Sequence, residues 1–465
     1  MMQKKQKSSY KELAPCQPKT NHQSSTINHQ LSVINYQPSV PNSSWFVLAG
    51  LLALSIVINS CSPKLESRFL QIGDVEVFPE SFETTETRST SNRGPCNDPL
   101  NYAPDTNHID HTPIKYVRVN FHWVNSQDSS KNFVGEEAKK FTRGLLKASN
   151  YDLRKNNKMW LPHNNDTPVL PSQYRYVLTP RPDDPDDDGI YFHFDDSLCY
   201  YVHKGRNRNL FDREVINKYG VQLDTVLNIF VLPHHPDSVA SPTYLAAGVG
   251  VALGNTVKVA GFYENKGSFW NYRGVFNHEV GHVFGLSHTW NYNDGCDDTP
   301  NHPQSCWNRN QRPGCDTLTS NNVMDYNAMQ HAWTPCQIGK VHLRMAKENS
   351  RARNYLQPNW CELDTAKHIF IKDSIDWTCM KDLEGNLTVE SGGSLTMRCR
   401  VSIPKNGKIT VMPGGRLILD DCRLHNACGD QWQGIEIQQR GNLAGEVIYV
   451  GSPSIEDAVN GVGSD

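Results

Sequence analysis

Three histidines in one short segment constrain this chain more than any other feature. Residues 278–288 read HEVGHVFGLSH, and the first two histidines, His278 and His282, are four positions apart. On an α-helix such side chains lie on the same face, and two imidazoles so placed can bind one zinc ion at about 2.0–2.1 Å. Glu279 would lie beside the open coordination position, where a carboxylate can take a proton from bound water.

The second half of the segment predicts a third ligand. Gly285 allows the left-handed or tight turn that ends a helix, and the chain can then double back to bring His288 to the same ion. Three protein ligands and a water are typical of a catalytic zinc site, whereas structural sites are closed by four ligands. The longer pattern is expected by chance in roughly one in several thousand chains of this length. We therefore predict a catalytic zinc site; a structural metal site and a fortuitous match are the alternatives.

A second motif, NVMDY at residues 322–326, supports this site. It resembles the Met-turn of the metzincin metallopeptidases, whose zinc motif also matches residues 278–288. The resemblance implies that Met324 packs beneath the zinc site, and the alternative is ordinary core filling by a methionine. Tyr326 resembles the tyrosine that some metzincins place near the metal, where its hydroxyl could stabilise an oxyanion. A structural tyrosine is the alternative.

Within the metzincins, the sequence resembles the pappalysin family. The resemblance covers roughly residues 112–355 and rests on VFNHEVGHVFGLSHTW at 275–290, DGCDDTP at 294–300 and NVMDYNAMQHAWTPCQIGKVHLRM at 322–345. It implies an α/β (α+β) catalytic domain with a twisted mixed sheet and a zinc-binding helix. It also implies a calcium site at Asp294, Thr299 and the Cys296 carbonyl, because hard oxygen ligands on a tight turn suit calcium. A solvated acidic turn is the alternative.

Hydrophobic patterns before the zinc motif predict alternating strands and helices, as in a mixed α/β layer. Residues 136–150 have the periodicity of an amphipathic helix. Alternating or continuous apolar runs predict strands at 114–121, 174–178, 190–194, 224–232 and, as one strand or a pair, 248–260. The resemblance suggests that 248–260 includes an edge strand on which an extended substrate peptide pairs.

The last hundred or so residues have a repeated pattern. GNLTVESGGSLTM at 385–397 aligns with GKITVMPGGRLIL at 407–419, an offset of 22 residues, and WQGIEI at 432–437 is a less regular third copy. Short strands separated by Gly-Gly at this period resemble the stacked rungs of a parallel β-helix, and a β-sandwich is the alternative. We expect this all-β part to bind a surface, a glycan or a protein. No terminal cap is visible, which suggests a truncated repeat.

The start of the chain predicts export. Residues 45–58 form an apolar run preceded by lysines, too short for a membrane span and typical of a signal-peptide core. Cys61 then resembles the lipidated cysteine of a bacterial lipoprotein; an uncleaved anchor and ordinary signal cleavage are the alternatives. We expect an outer-membrane or cell-surface lipoprotein, or else a secreted protein.

The predicted organisation is a leader at 1–61, a linker or short pro-segment at 62–112, a peptidase domain at 113–358 and a repeat domain at 359–465.

The 13 cysteines of the chain also indicate an oxidising compartment. Without Cys16 of the leader and Cys61, which is predicted to be lipidated, an odd number of cysteines remains. One thiol should therefore be free, bind the zinc, or have lost its partner beyond a truncated end. Cys96 is expected in a disulfide with Cys199 or another cysteine; the alternative is a latency cysteine on the zinc, as in some metzincins. The loop after the zinc motif should contain two disulfides, of unassigned pairing, among Cys296, Cys306, Cys315 and Cys336.

These observations together predict an exported zinc endopeptidase. Zinc would polarise the scissile carbonyl, and Glu279 would act as the general base in the cleavage of protein or peptide substrates. The alternative is a β-helix adhesion or binding protein with an inert protease domain, but the intact zinc motif and Tyr326 favour the enzyme. The net charge of −3 argues against a nucleic-acid partner, and membrane contact is expected only through Cys61.

Overall fold

The computed structural model describes residues 63–461, except 79–93, 131, 202–212, 245–247, 265–266, 291–293, 309–312 and 328. The predicted leader, with its apolar run and Cys61, lies outside the described residues. Within the described ranges, no helix combines the length and the apolar character needed to cross a bilayer.

The described chain begins with two short strands, β1 (Leu65–Phe69) and β2 (Glu76–Phe78). A mixed sheet then follows in the middle of the chain. Its strands are β3 (Lys115–Asn125), β4 (Tyr174–Leu178), β5 (Ile190–Phe194), β6 (Leu227–Leu232), β7 (Val249–Ala252) and β8 (Thr256–Ala260). Their order is β4-β3-β6-β8-β7, and β5 also pairs with β3.

Every pair in this sheet is parallel except β7 with β8. The predicted strand or strand pair at 248–260 is therefore a pair, with the turn at Gly254 in the left-handed region (φ +82°). Because β7 is last in the strand order, it is the edge strand that was expected there. This edge strand lies beside the helix that carries residues 278–283.

The helices pack around this sheet. They are α1 (Gly135–Arg154), α2 (Glu214–Tyr219), α3 (Pro236–Val239), α4 (Arg273–Val283), α5 (Pro335–Ala346) and α6 (Arg351–Asn354). Trp123 of β3 donates to the Thr142 hydroxyl of α1 at 3.0 Å. Phe276 of α4 stacks on Phe121 of β3, with ring centroids 5.8 Å apart. These contacts hold α1 and α4 against the sheet and fix the helix that carries the zinc motif.

The C-terminal part consists of short strands. They are β9 (Ile369–Ile371), β10 (Ser374–Trp377), β11 (Lys381–Asp382), β12 (Leu387–Val389), β13 (Ser394–Met397), β14 (Val401–Ser402), β15 (Lys408–Val411), β16 (Arg416–Asp420), β17 (Arg423–His425), β18 (Gly434–Arg440), β19 (Leu443–Ala444), β20 (Glu446–Val450) and β21 (Ser454–Ile455). Parallel neighbours form three sheets, β9-β12-β15-β18, β10-β13-β16-β20 and β11-β14-β17-β21. Leu395 pairs with Leu417, which is the predicted offset of 22 residues.

Part of the segment predicted as a linker belongs to these sheets instead. Strand β1 pairs antiparallel with β18, and β2 pairs parallel with β20, so both occupy the outer ends of strand orders. Leu70, between them, is 1% exposed and belongs to the apolar core of the C-terminal part. The sequence of this segment is polar and weakly periodic, so it does not by itself predict strands. Their pairing could not be predicted either, because the partner strands lie hundreds of residues further along the chain.

The disulfides confirm that Cys96 bonds to another cysteine and that the loop after α4 has two bridges, and they correct one prediction. Cys296–Cys336 and Cys306–Cys315 are the two expected in the loop after α4, while Cys96–Cys399 and Cys361–Cys428 join the middle of the chain to the C-terminal strands. Because Cys96 is bonded to Cys399, it has no free thiol with which to bind the zinc. Cys199, the other suggested partner, is unbridged and buried in an apolar cluster with Val124 and Phe230. Among the described residues, three cysteines rather than one lack a disulfide partner: Cys199, Cys379 and Cys422.

Candidate active site

Helix α4 and the turn after it bring the three predicted histidines together. His278 and His282 lie one turn apart on α4, which ends at Val283. Gly285 has φ +86°, a left-handed conformation that favours glycine. Its amide donates to the His282 carbonyl at 2.9 Å, and the Leu286 amide donates to the Gly281 carbonyl at 3.0 Å. This turn closes the helix and returns the chain, so that His288 faces the other two histidines.

The Nε2 atoms of the three histidines converge on one point. They are 3.1 Å apart between His278 and His282, 3.0 Å between His282 and His288, and 3.2 Å between His278 and His288. Three nitrogens bound tetrahedrally to one zinc ion at about 2.0–2.1 Å would be separated by roughly 3.3 Å. The histidine triad therefore has the spacing of a zinc site.

Hydrogen bonds on the far side of two rings set their tautomers. The Nδ1 atoms of His278 and His282 lie 2.8 Å and 2.9 Å from the carbonyl oxygens of Val323 and Leu286. A carbonyl can only accept, so Nδ1 carries the proton and Nε2 presents a lone pair to the centre. Burial lowers the pKa of His278 to about 3 and that of His288 to about 4, which keeps both rings neutral. Converging lone pairs on neutral rings fit a cation.

The predicted Met-turn lies directly against α4. Met324 is fully buried, and a Cβ added to Gly281 would come 2.6 Å from its sulfur. Val323, the preceding residue, supplies the carbonyl that orients His278. Sequence reasoning did not find Gln330, whose amide nitrogen lies 3.2 Å from the Nδ1 atom of His278 and donates to the Asp325 carbonyl at 2.7 Å. Gln330 has φ +39° and carries no motif that would have singled it out.

Glu279 lies between the histidine triad and the edge strand β7. Its side chain is buried, and the Ala252 amide donates a hydrogen bond to it. Burial raises the pKa of Glu279 to about 8. The cleft in front of it is lined by the triad, Tyr326 and residues of β7 and the following turn.

Tyr326 lines the same cleft as the triad. Its side chain is 50% exposed, and its ring centroid is 4.9 Å from that of His288 and 4.4 Å from that of Trp290. Trp290 in turn stacks on His288, at 4.1 Å between centroids and 14° between ring planes. Trp290 was not predicted as a site residue, although it ends the zinc-motif segment. The two aromatic rings together form one wall beside His288.

The predicted calcium ligands also lie together. The Thr299 hydroxyl is 2.5 Å from Asp294 Oδ2 and 2.8 Å from the Cys296 carbonyl oxygen. The Lys340 ammonium donates to the Asp294 main-chain carbonyl, which places a positive charge beside the same turn. Cys296, Asp298 and Cys336 form a second group with metal-ligand spacing, but both sulfurs belong to one disulfide and cannot act as thiolates.

Comparison with a known family agrees with this geometry. The model of peptidase family M43, described as pregnancy-associated plasma protein-A, matches residues 248–346. This segment carries the sequence pattern of family M43. The pappalysin resemblance is thereby confirmed, and the M43 segment holds the triad, Glu279 and the Met-turn. The match of this segment to the family model supports a zinc metallopeptidase.

Similar solved structures include two of mirolysin. Mirolysin in complex with compound 9 is 18% identical in sequence; the match covers 52% of this chain and 96% of that chain, with a TM-score of 0.38. Mature mirolysin of Tannerella forsythia in complex with a cleaved peptide is 19% identical; the match covers 52% of this chain and 95% of that chain, with a TM-score of 0.37. No similar protein was found among curated sequences.

Proposed function

We propose that this protein is a zinc-dependent endopeptidase that cleaves protein or peptide substrates. The observation that carries the proposal is the convergence of three histidine Nε2 atoms at 3.0–3.2 Å, with the buried Glu279 beside them in a cleft bordered by an edge strand. His278, His282 and His288 would hold the ion. When bound, zinc lowers the pKa of a water ligand and polarises the scissile carbonyl.

The protein's own groups perform the proton transfers and position the substrate. Glu279 takes the proton of the attacking water and then passes it to the leaving amine. The Tyr326 hydroxyl donates a hydrogen bond to the oxyanion of the tetrahedral transition state. In the described part of the chain β7 pairs only with β8, so its other edge can pair with an extended peptide.

For the C-terminal part we propose a parallel β-helix that binds a surface, a glycan or a protein. Three sheets of parallel neighbours at the sequence repeat support this architecture over a β-sandwich, whose sheets are built from antiparallel strands. We further propose the domain limits 113–358 and 359–465, export with lipidation at Cys61, and calcium at Asp294, Thr299 and the Cys296 carbonyl.

Casein digestion by the purified chain tests the peptidase proposal. We expect cleavage that a chelator abolishes and that zinc restores, together with about one zinc per chain by elemental analysis. Glu279→Gln should abolish cleavage and retain zinc. Glu384→Gln changes a similarly buried glutamate of the C-terminal part and should retain cleavage. Cleavage that persists in Glu279→Gln would refute the mechanism, and a folded, zinc-loaded but inert wild type would favour a binding protein.

A further inference from the structure

A buried histidine–aspartate pair links the disulfide-braced loop to the Met-turn. His302 lies between the two disulfides of this loop, and its Nε2 atom is 2.6 Å from Asp325 Oδ2. Both side chains are only 2% exposed. The Nδ1 atom of His302 lies 3.2 Å from the Pro300 carbonyl oxygen. Both ring nitrogens therefore face acceptors, which is the arrangement of a doubly protonated imidazolium.

The charged state agrees with the surroundings of the ring. Burial lowers the pKa of His302, but its hydrogen bond and attraction to Asp325 and its hydrogen bond to the Pro300 carbonyl outweigh burial, and the pKa is raised above its ordinary value. A buried ion pair contributes little to stability on balance, because desolvation offsets the attraction. The pair therefore calls for a role other than stabilisation.

Asp325 connects this pair to the active site. Its Oδ1 atom accepts the amide N–H of Tyr326 at 2.6 Å, while its Oδ2 atom is occupied by His302. The Asp325 carbonyl accepts from Gln330, which also lies 3.2 Å from His278. The Tyr326 ring is half exposed and packs on one side against Trp290 and His288, so its placement also depends on the backbone that Asp325 holds.

We infer that His302 is a positioning residue that acts through Asp325 to hold Tyr326 at the catalytic cleft. This inference rests on the proposed peptidase function. His302 fixes the rotamer of Asp325, Asp325 fixes the amide of Tyr326, and the Tyr326 hydroxyl is thereby held where charge develops in the transition state. The disulfides on either side of His302 hold this loop in place, so the anchor for Tyr326 lies outside the Met-turn itself.

A double-mutant cycle distinguishes positioning from general support of the fold. We expect His302→Leu to lower kcat about tenfold, with KM and zinc content unchanged, because the Tyr326 contact operates in the transition state. His302→Gln retains a donor for Asp325 and should restore most of kcat. In a Tyr326→Phe background, His302→Leu should cause no further loss, because residues that act as a unit are not additive.

Equal losses of kcat in the two backgrounds, or loss of zinc in His302→Leu, would overturn the inference. His342→Leu is the matched control, since His342 is also buried and its Nε2 atom donates to the Ser172 carbonyl at 2.8 Å, away from the cleft. It should lower Tm without coupling to Tyr326. If His302→Leu fails to fold, Asp325→Asn replaces it in the cycle; that variant keeps an acceptor for the Tyr326 amide and removes the charge.

Hydrogen exchange supplies a readout that does not depend on activity. Amides at residues 322–327 should exchange faster in His302→Leu than in wild type and should be unchanged in His342→Leu. Unchanged exchange in His302→Leu would overturn the inference even in an inert protein. If the wild type showed no chelator-sensitive cleavage, in contrast, only the proposed peptidase function would be refuted.

Discussion

Gly250 of the edge strand lies directly against the side chain of Glu279. A Cβ added at Gly250 would come 2.5 Å from Cγ and 2.8 Å from Oε1 of that glutamate. The absence of a side chain at this position of β7 leaves the space that the Glu279 side chain occupies. The strand proposed to bind substrate and the residue proposed to activate water are thus fitted to each other.

Gly250→Ala should therefore displace Glu279 and reduce activity. We expect kcat to fall by at least about tenfold, because a displacement of the base of the order of 1 Å can cost a hundredfold. Zinc content should be unchanged, since the three atoms nearest to the added methyl group all belong to Glu279 and not to a zinc ligand. Gly73→Ala, at a glycine with open space around it, is the control. Peptide-cleavage kinetics with full activity in Gly250→Ala would contradict the fit.

Gly281→Ala should destabilise the contact between α4 and the Met-turn. The new methyl group would meet the Met324 sulfur at 2.6 Å, and overpacking of this kind costs about 1–3 kcal/mol. Urea unfolding measures the loss. Met324→Ala removes the clash, so the double variant should lose less stability than the sum of the single variants. Strict additivity would show that the two residues do not press on each other.

The stability of the chain should decline in mild acid because of a buried histidine pair. His122 Nδ1 lies 2.9 Å from His193 Nε2; burial lowers the pKa of His122 well below its ordinary value and that of His193 to about 4. The unfolded chain binds protons near pH 6.5 and the folded chain does not. The contribution of the neutral histidine pair to the free energy of unfolding is complete above pH 6.5 and is lost as the pH falls toward 4.

Unfolding free energies measured across this range check the effect. His193→Gln should flatten the slope, because one fewer group takes up a proton on unfolding. Val169→Ala, at an exposed residue without a titratable group, should leave the slope unchanged. An identical slope in His193→Gln and wild type would contradict the assignment.

The strands at the start of the described chain should protect the C-terminal sheets. Deletion of residues 63–78 would expose the edges of β18 and β20, and free edges favour pairing between molecules. We expect dimers or aggregates by light scattering. As a point variant, Leu70→Ala should cost about 2–5 kcal/mol, since this side chain is fully buried. Leu65→Ala, at an exposed leucine of the same segment, should cost little. A monomeric deletion variant with unchanged Tm would contradict this role.

Local features of this molecule could be predicted from its sequence, and long-range ones could not. The spacing of His278 and His282 places both side chains on one face of a helix, and Gly285 allows the turn that returns the chain at His288. The triad could be predicted because all of its members lie within eleven neighbouring residues. Strands β4 and β5 have the predicted limits because their apolar patterns are self-contained. Strand β6 begins at Leu227 rather than at the predicted residue 224, since the charged Asp224 and the polar Thr225 do not join the sheet.

The missed features depend on partners distant in sequence. Cys96 bonds to Cys399, and β1 pairs with β18, across more than 300 residues each. Gly250 meets Glu279 only because β7 folds back against α4. The Asp382 carboxylate pairs with Arg353 of α6 and with Arg400, which holds its pKa well below the usual range. No spacing rule connects such residues, so their proximity follows only from the completed fold.

The disulfides Cys96–Cys399 and Cys361–Cys428 have a consequence for breakage of the chain. If a protease cut the backbone once between Cys96 and Cys399, the two fragments would remain joined through sulfur, because each would keep one half of the first bridge. A cut between Cys361 and Cys399 would leave both bridges spanning the gap. Such a nicked molecule would migrate as one species until a reductant was added. The covalent link between the middle of the chain and the C-terminal strands thus does not depend on an intact main chain.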